Sequence, residues 1–511
     1  MTKFQCFWFQ SKAIRLGLIA AAASFLIVTA GCGKSSTSTN PAGAVGASQV
    51  RIGDAPADKI ISFEVTVGPI TLSPGNVSAL SGTRRVELTH LSGTSEPLAL
   101  LNVPPGTYTG AQIMVSKPEI TFVNSLGQVV EIQPAFSQTV SITFPSQIVI
   151  GQGSSVLDID LNVANSLTFD ALGNVTGVSL SNTSFTFSAS AVAADENNEQ
   201  EDNGEQEDIT GMVTAVNGTS FDLQVGQSGT KLTFATDATT EFSDGATLGT
   251  MLNTTVTVEG VTKADGSLYA KEVEGIEDNN GVEAEGLITS ATGNPATALT
   301  LVDQDGSGNG LDDTKVGTTL TVNVNNAQYK VGKGNIDTSG IGGLPSTPNF
   351  PFDATTVHAG QSVEVESSSA LSGSSITAQK VKLHQQGLSG TVSGLAGPTS
   401  AGPVTFTLNL DPKSAFAVLS GQTTVTVFWQ PGTDLHHLSS VNNNNTVRVR
   451  GLVFFTGTGF NMIARRIRTV APVIAGFKIG GALASAPLQG RRAFFKAAVL
   501  RSAPLERVLF L

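Results

Sequence analysis

Thiols are nearly absent from this chain. Its 511 residues include two cysteines, Cys6 and Cys32, so everything after residue 32 lacks a disulfide, a cysteine zinc cluster and a cysteine nucleophile. Stability there must come from packed cores. Charge is scarce: Asp, Glu, Lys and Arg make up 14% of the chain, with 41 acids against 29 bases and a formal net charge of −12. That excludes nucleic acid as a partner, because a phosphate backbone needs a concentrated basic footprint. Two Trp and three Tyr leave little to stack on a sugar ring. Periodic blocks of Ala, Leu, Glu, Lys and Arg, the material of long helices, are few before residue 471. The apolar run at residues 16–28 is shorter than the ~20 residues of a membrane-spanning helix. What the chain does have is 55 glycines and much Ser, Thr, Asn and Val, the usage of short strands separated by many turns.

Lys3, Lys12 and Arg15 precede that apolar run, and Val28-Thr29-Ala30-Gly31-Cys32 ends it. A basic start, an apolar stretch and small residues before a cysteine form a signal-peptide pattern. It resembles the lipobox of bacterial lipoproteins, with Thr29 where that family usually has leucine. The resemblance implies that residues 1–31 are removed and that lipidated Cys32 becomes the N-terminus, tethered to the bacterial cell membrane or outer membrane. One acyl chain binds marginally at ~0.8 kcal/mol per methylene, whereas two or more hold firmly. Losing three basic residues would take the formal charge from −12 to −15, typical of an exported surface protein.

Residues 32–49 are rich in Ser, Thr, Gly and Ala and read as a flexible tether. From 50 to 193, apolar and polar residues alternate: Phe63, Val65 and Val67; Leu157, Ile159, Leu161 and Val163; Phe185 and Phe187. Turn signals such as Pro74-Gly75 and Leu126-Gly127 separate them. This spacing predicts an antiparallel β-sandwich. The opening Ile52-Gly53-Asp54-Ala55-Pro56 and the phrase Val103-Pro104-Pro105-Gly106-Thr107-Tyr108-Thr109 resemble a bacterial lipoprotein domain of unknown function, and the Pro-Gly-Thr-Tyr-Thr phrase is similar to one in prealbumin-like sandwiches. Residues 194–208 hold eight carboxylates in fifteen positions; such a run repels itself, so a disordered acidic linker is expected.

A repeat follows. Gly211-Met212-Val213-Thr214, Val256-Thr257-Val258-Glu259-Gly260 and Ala270-Lys271-Glu272-Val273 have counterparts in Gly286-Leu287-Ile288-Thr289, Val363-Glu364-Val365-Glu366 and Ala378-Gln379-Lys380-Val381. A third set is Gly390-Thr391-Val392-Ser393, Val447-Arg448-Val449-Arg450-Gly451 and Ala464-Arg465-Arg466-Ile467. These units, at 209–277, 281–386 (with a long insert) and 387–470, resemble an uncharacterised exported repeat, which implies small barrels similar to OB-folds. The fold class expected is therefore all-β: a sandwich followed by three small OB-like barrels, with a basic tail at 471–511.

The candidate metal site is the segment 303–313. Asp303, Asp305 and Ser307 alternate as oxygen donors, Gly308 gives the sharp turn and Asn309 a carbonyl, as in calcium loops. Thr314 stands where the closing bidentate glutamate belongs, with Asp312 and Asp313 close by. The plain alternative is a polar, Gly-rich hairpin, and any ion here would be structural. Adjacent His436 and His437 point to opposite faces of a strand, and His90, His358 and His384 are scattered. Asp158 and Asp160 share a strand face but fit a solvated surface. No Gly-x-Ser-x-Gly elbow has a strand-to-helix setting. These residues point to a non-enzymatic, membrane-anchored lipoprotein without a cofactor, acting as a binding or structural module toward an envelope protein or polysaccharide. The alternatives are a carbohydrate- or polymer-binding lipoprotein and a hydrolase assembled from distant residues.

Overall fold

The computed structural model describes residues 48–191, 205–469 and 484–486, apart from short interruptions of which 333–349 is the longest. The signal segment, Cys32 and most of the tether and basic tail lie outside these residues, as does 192–204 of the acidic stretch. Residues 44–511 form one compact unit.

The alternation read in the first domain becomes two open sheets around one core. Ile60–Ser73, Gly106–Val123 and Ser137–Ile150 dominate the larger sheet. Ser48–Gly53, Glu96–Leu101, Ser154–Leu161 and Phe185–Ala191 form the smaller, joined by Ala484–Ala486, which pairs antiparallel with Ser154–Leu161. Phe63, Ile113 and Ile120 from one sheet meet Leu157, Ile159 and Phe185 from the other. One pairing departs from the antiparallel expectation: Ser48–Gly53 runs parallel to Ser154–Leu161. The Pro-Gly-Thr-Tyr phrase has a physical reason. Buried Tyr108 donates its hydroxyl to the Pro104 carbonyl at 2.7 Å, a tyrosine bonding back to upstream backbone at a sandwich corner.

The acidic stretch is not a linker throughout. A strand begins inside it, Glu205–Asn217, because its backbone pairs with Thr255–Thr262 from Glu205 onward. With Ser220–Val225, Thr230–Ala235 and Leu268–Gly275 it makes a five-stranded barrel. The first strand pairs with the second and fourth, and the fifth returns parallel to the third. The last unit has the same pairings across Gln385–Ala396, Val404–Leu410, Thr424–Asp434, Thr446–Phe455 and Phe460–Thr469, and it too is closed. A helix, Ala415–Ser420, bridges its second and third strands, capped by Ser414, whose hydroxyl accepts from the Ala417 amide at 3.2 Å.

The middle unit differs. It is an open seven-stranded sheet, not the third closed barrel expected from the repeat. Val282–Gly293, Ala296–Gly308, Thr319–Asn323 and Ser362–Ser367 follow the common order, but the closing strand is split into Ser375–Thr377 and Lys380–Leu383. The sequence explains the break. In the closed units a glycine of the Val-x-Val-x-Gly strand crosses the closing strand beside its alanine, Gly260 with Ala270 and Gly451 with Ala464. A Cβ at Gly451 would lie 1.9 Å from the Ile463 carbonyl oxygen, and one at Gly260 2.8 Å from that of Tyr269. The middle unit has Ser367 at that position, and its closing strand is interrupted at Ala378-Gln379, where the Ala378 amide donates to the Asn323 carbonyl at 2.9 Å and the Gln379 amide to the Glu366 carbonyl at 2.8 Å.

If this close approach governs closure, Gly451→Ser should open the last barrel at that corner and destabilise the chain by about 1–3 kcal/mol, the usual cost of overpacking. Ser367→Gly forfeits the hydroxyl's bonds to Ser369 and should cost about 1 kcal/mol or less. A urea denaturation midpoint that is unchanged in Gly451→Ser would refute the explanation.

Candidate functional site

Strand register gathers charge on the outer face of the middle sheet. Glu283 stands opposite Ser307 and Glu366, and Glu366 opposite Lys380. One row along, Glu285 stands opposite Asp305 and Glu364, and Glu364 opposite Lys382. An outer face should be wet, yet Glu283, Glu364, Glu366 and Lys380 are all buried. Thr210, Thr257 and Glu274 of the first barrel meet this face.

Ion pairs satisfy part of the cluster. Lys380 pairs with Glu366, and Lys382 pairs with Glu274 and, at 3.1 Å, with Glu364. His384 Nδ1 lies 2.9 Å from Glu285 Oε1. Burial and the like charges of Glu364 and Glu366 push Glu283 well above the usual carboxylate range. Burial also raises Glu366, to about 7. Burial acts on Glu364 in the same direction, but Lys382 and His384 outweigh it and hold that carboxyl low.

On the other side of Glu285 is a cavity of about 90 Å³ where the sandwich, the middle sheet and the last barrel meet. Asp58, Thr89, Gln304, Gln386, Ser389 and Arg448 are among its lining residues. The Gln304 amide crosses into the sandwich, donating to the Ile61 carbonyl at 2.6 Å and the Thr89 hydroxyl at 2.9 Å. Thr121 donates to the Gly317 carbonyl at 2.6 Å, and the Ala415 amide to the Asp58 carbonyl at 2.5 Å. Ile61, Val123, Val302 and Ala415 add an apolar contact at the same junction. Small-molecule sites occupy about 300–1,000 Å³, so this space suits a few waters and acts as a joint.

The segment 303–313 is not the loop that its composition suggests. Residues 303–308 continue the strand Ala296–Gly308, with a bulge opposite Glu285 and Gly286. The backbone reason is the long ladder with Val282–Gly293, which extends to Gly308. Asp303 is fully buried, its carboxyl beside Gly306 and Leu311 with neither oxygen hydrogen-bonded. Burial, with Asp305, Glu285 and Glu87 nearby, pushes it well above the usual range. Asp305 faces the acidic cluster instead. Ser307 shares the strand, while Asn309, Asp312, Asp313, His90, His436 and His437 lie outside the described residues. His358 packs on the rings of Phe455 and Phe460. Sequence reading missed the Glu283, Glu285, Glu364, Glu366, Lys380, Lys382 and His384 set. Its signal was three strands each carrying charge at every second residue.

Two small closed β-barrels, at residues 205–275 and 385–469, thus flank an open sheet. A family model described as a domain of unknown function, DUF5666, matches residues 210–274, the first barrel. No curated protein matches the chain.

Asp58 gives this junction a pH signature. Burial raises its carboxyl from 3.8 to about 6 against the pull of Arg448. The folded chain then keeps a proton that the unfolded chain releases, so this group's contribution to stability falls as pH rises through that window and is level above it. Asp58→Asn should remove the slope. Its stability relative to the natural chain should rise by up to about 3 kcal/mol between pH ~4 and pH ~7, measured by denaturation at stepped pH. A pH-independent difference would contradict the assignment.

Proposed function

We propose that this chain is a lipid-anchored protein of the bacterial cell envelope whose β-rich body serves as a non-catalytic binding or structural module. The observation that carries the reading is the Val28-Thr29-Ala30-Gly31-Cys32 segment after a basic and apolar N-terminus. The reading relies on a lipid on Cys32 as the anchor; no helix among the described residues is long and apolar enough to cross a membrane. The two open sheets around one core fit a prealbumin-like sandwich. The three following units are one repeat design: the middle one keeps the common strand order and pairings and is opened where serine replaces glycine.

Interlocking of the modules supports a structural role, since Gln304, Thr121 and Ala415 bond across module boundaries. Sugar binding is the weaker reading. Tyr108 and Tyr269 are buried, and Tyr329 and Trp429 are half-buried against cores, which leaves these rings poor stacking platforms.

Mass spectrometry of the protein from its native envelope should find an acylated Cys32 as the first residue. Cys32→Ser should abolish the acyl mass and move the protein from the membrane fraction to the soluble one. An unmodified N-terminus elsewhere in the natural protein would overturn the anchor.

A further inference from the structure

Two turns of the sandwich repeat one motif. Asn124-Ser125-Leu126-Gly127-Gln128 follows the strand Gly106–Val123, and Asp170-Ala171-Leu172-Gly173-Asn174 joins Leu167–Phe169 to Val175–Val178. In each, a side-chain oxygen of the first residue accepts from the amides of the third and fifth, at 2.9 Å in one turn and 2.8 Å in the other. Each also passes through a glycine in the left-handed region, with φ 77° at Gly127 and 81° at Gly173. The turns touch, because the Ser125 amide donates to Asn174 Oδ1 at 2.7 Å. Their tips are the two most exposed large apolar side chains among the described residues, Leu126 at 79% and Leu172 at 70%. We propose that Leu126 and Leu172 insert together into the surface of the bilayer that carries the chain, and so hold the sandwich with this end toward the membrane. The inference rests on the membrane anchorage proposed above.

The backbone of the turns suits such a place. Lipid cannot replace water as a partner for an amide, so an inserting turn must satisfy its own. The first turn does so at all five residues. Besides the three bonds above, the Asn124 amide donates to the Gln128 carbonyl at 2.9 Å and the Gly127 amide to the Asn124 carbonyl at 3.0 Å. In the second, the Asp170 amide donates to the Asn174 carbonyl at 2.9 Å and the Gly173 amide to the Asp170 carbonyl at 3.0 Å. Asp170 carries the one charge in either turn, and its carboxylate is engaged within the turn, accepting also from Asn174 Nδ2 at 2.9 Å. Lys59, whose carbonyl accepts from the Val123 amide at 3.1 Å, places its ammonium 3.4 Å from the Gly173 carbonyl. A cation beside the tips suits a phosphate headgroup.

Reach and area select the occupant. Fifteen residues, 33–47, separate Cys32 from the strand Ser48–Gly53, and fully extended they span at most about 55 Å. A lipid on Cys32 therefore keeps the sandwich, the first module after it, close to the bilayer. Insertion of the tips is then intramolecular and needs little affinity of its own. Phe169, 44% exposed, directly precedes the second turn. Three side chains at turn tips fall well short of the ~800 Å² per partner that a stable protein interface buries, whereas a bilayer accepts single apolar side chains.

The test uses the full chain, purified in detergent and reconstituted into phosphatidylethanolamine–phosphatidylglycerol vesicles whose brominated acyl chains quench tryptophan on contact. Read against the natural chain, the added fluorescence of Leu126→Trp and of Leu172→Trp should be quenched and blue-shifted. That of Val149→Trp should be neither, because Val149 is 55% exposed but pairs with Thr107 at the far end of Gly106–Val123. Adding Leu172→Ser to Leu126→Trp should remove most of the quenching, because the tips enter together, and leave the melting temperature unchanged, because the side chain is exposed. Vesicle flotation and the mass of Cys32, taken on the same sample, separate the tips from the anchor. Quenching in a floating chain supports the tips, even where an unmodified Cys32 overturns the anchor. A floating, acylated chain without quenching at either tip overturns the tips and leaves the anchor standing. Quenching of Val149→Trp equal to that of the tips, or a chain that does not float, also overturns the proposal. So does a dimer in detergent that Leu126→Ser dissociates, which would assign the tips to a second copy.

Discussion

Everything in the repeat region depends on how closely two backbones can pass. Closing five short strands into a barrel forces the fourth strand across the fifth at a corner with no room for a side chain. Glycine meets that constraint at Gly260 and Gly451. The opening strands obey a similar one: a Cβ at Gly211, Gly286 or Gly390 would lie 2.5, 2.0 or 2.5 Å from a carbonyl oxygen of the neighbouring strand. The middle unit, whose closing strand is split, has Ser367 where the two closed units have glycine. The opened sheet accepts an additional strand, Gln328–Val331, alongside Lys380–Leu383.

The same alternation that builds each core also fills the reverse face. In the middle unit the inward positions are Val363, Val365, Val381 and Leu383, and the outward ones are Glu364, Glu366, Lys380 and Lys382. The last unit repeats the scheme with Arg448 and Arg450 outward. Outward faces normally stay in water, where such pairs contribute little. Here they are covered by neighbouring modules, so charge must be matched closely, because a buried ion left unmatched costs several kcal/mol. Pairing of this kind favours one arrangement of modules over others more than it adds stability.

Much of the fold was legible beforehand. Strand alternation located the buried residues Phe63, Val65, Leu157 and Ile159, and the three-part repeat anticipated a strand order that the first and last units share. The charged cluster was not legible. Its members come from strands some 20 to 100 residues apart, and only the register between strands puts Glu283 beside Glu366 and Lys380. Composition misled twice, for one reason. The Asp- and Gly-rich 303–308 and the acidic 205–208 look like loops locally, yet each extends a ladder whose partner strand is already placed. Long-range pairing overrode local preference.

The contacts of Gln304, Gly317 and Ala415 with the sandwich have a bearing on how the chain matures. Their partners, Ile61, Thr89, Thr121 and Asp58, precede them by 196 to 357 residues. The sandwich is synthesised long before the strands that cover it. Until the middle and last units exist, Ile61 and Val123 lack their apolar cover from Val302 and Ala415, and the Asp58 carbonyl lacks the Ala415 amide. Long-range closures of this kind are slow, and their precursors are the species prone to aggregate. A chain truncated before residue 415 would keep the sandwich strands of residues 48–191 but lose Ala484–Ala486, which pairs with Ser154–Leu161, together with Ala415 of the surface that shields it.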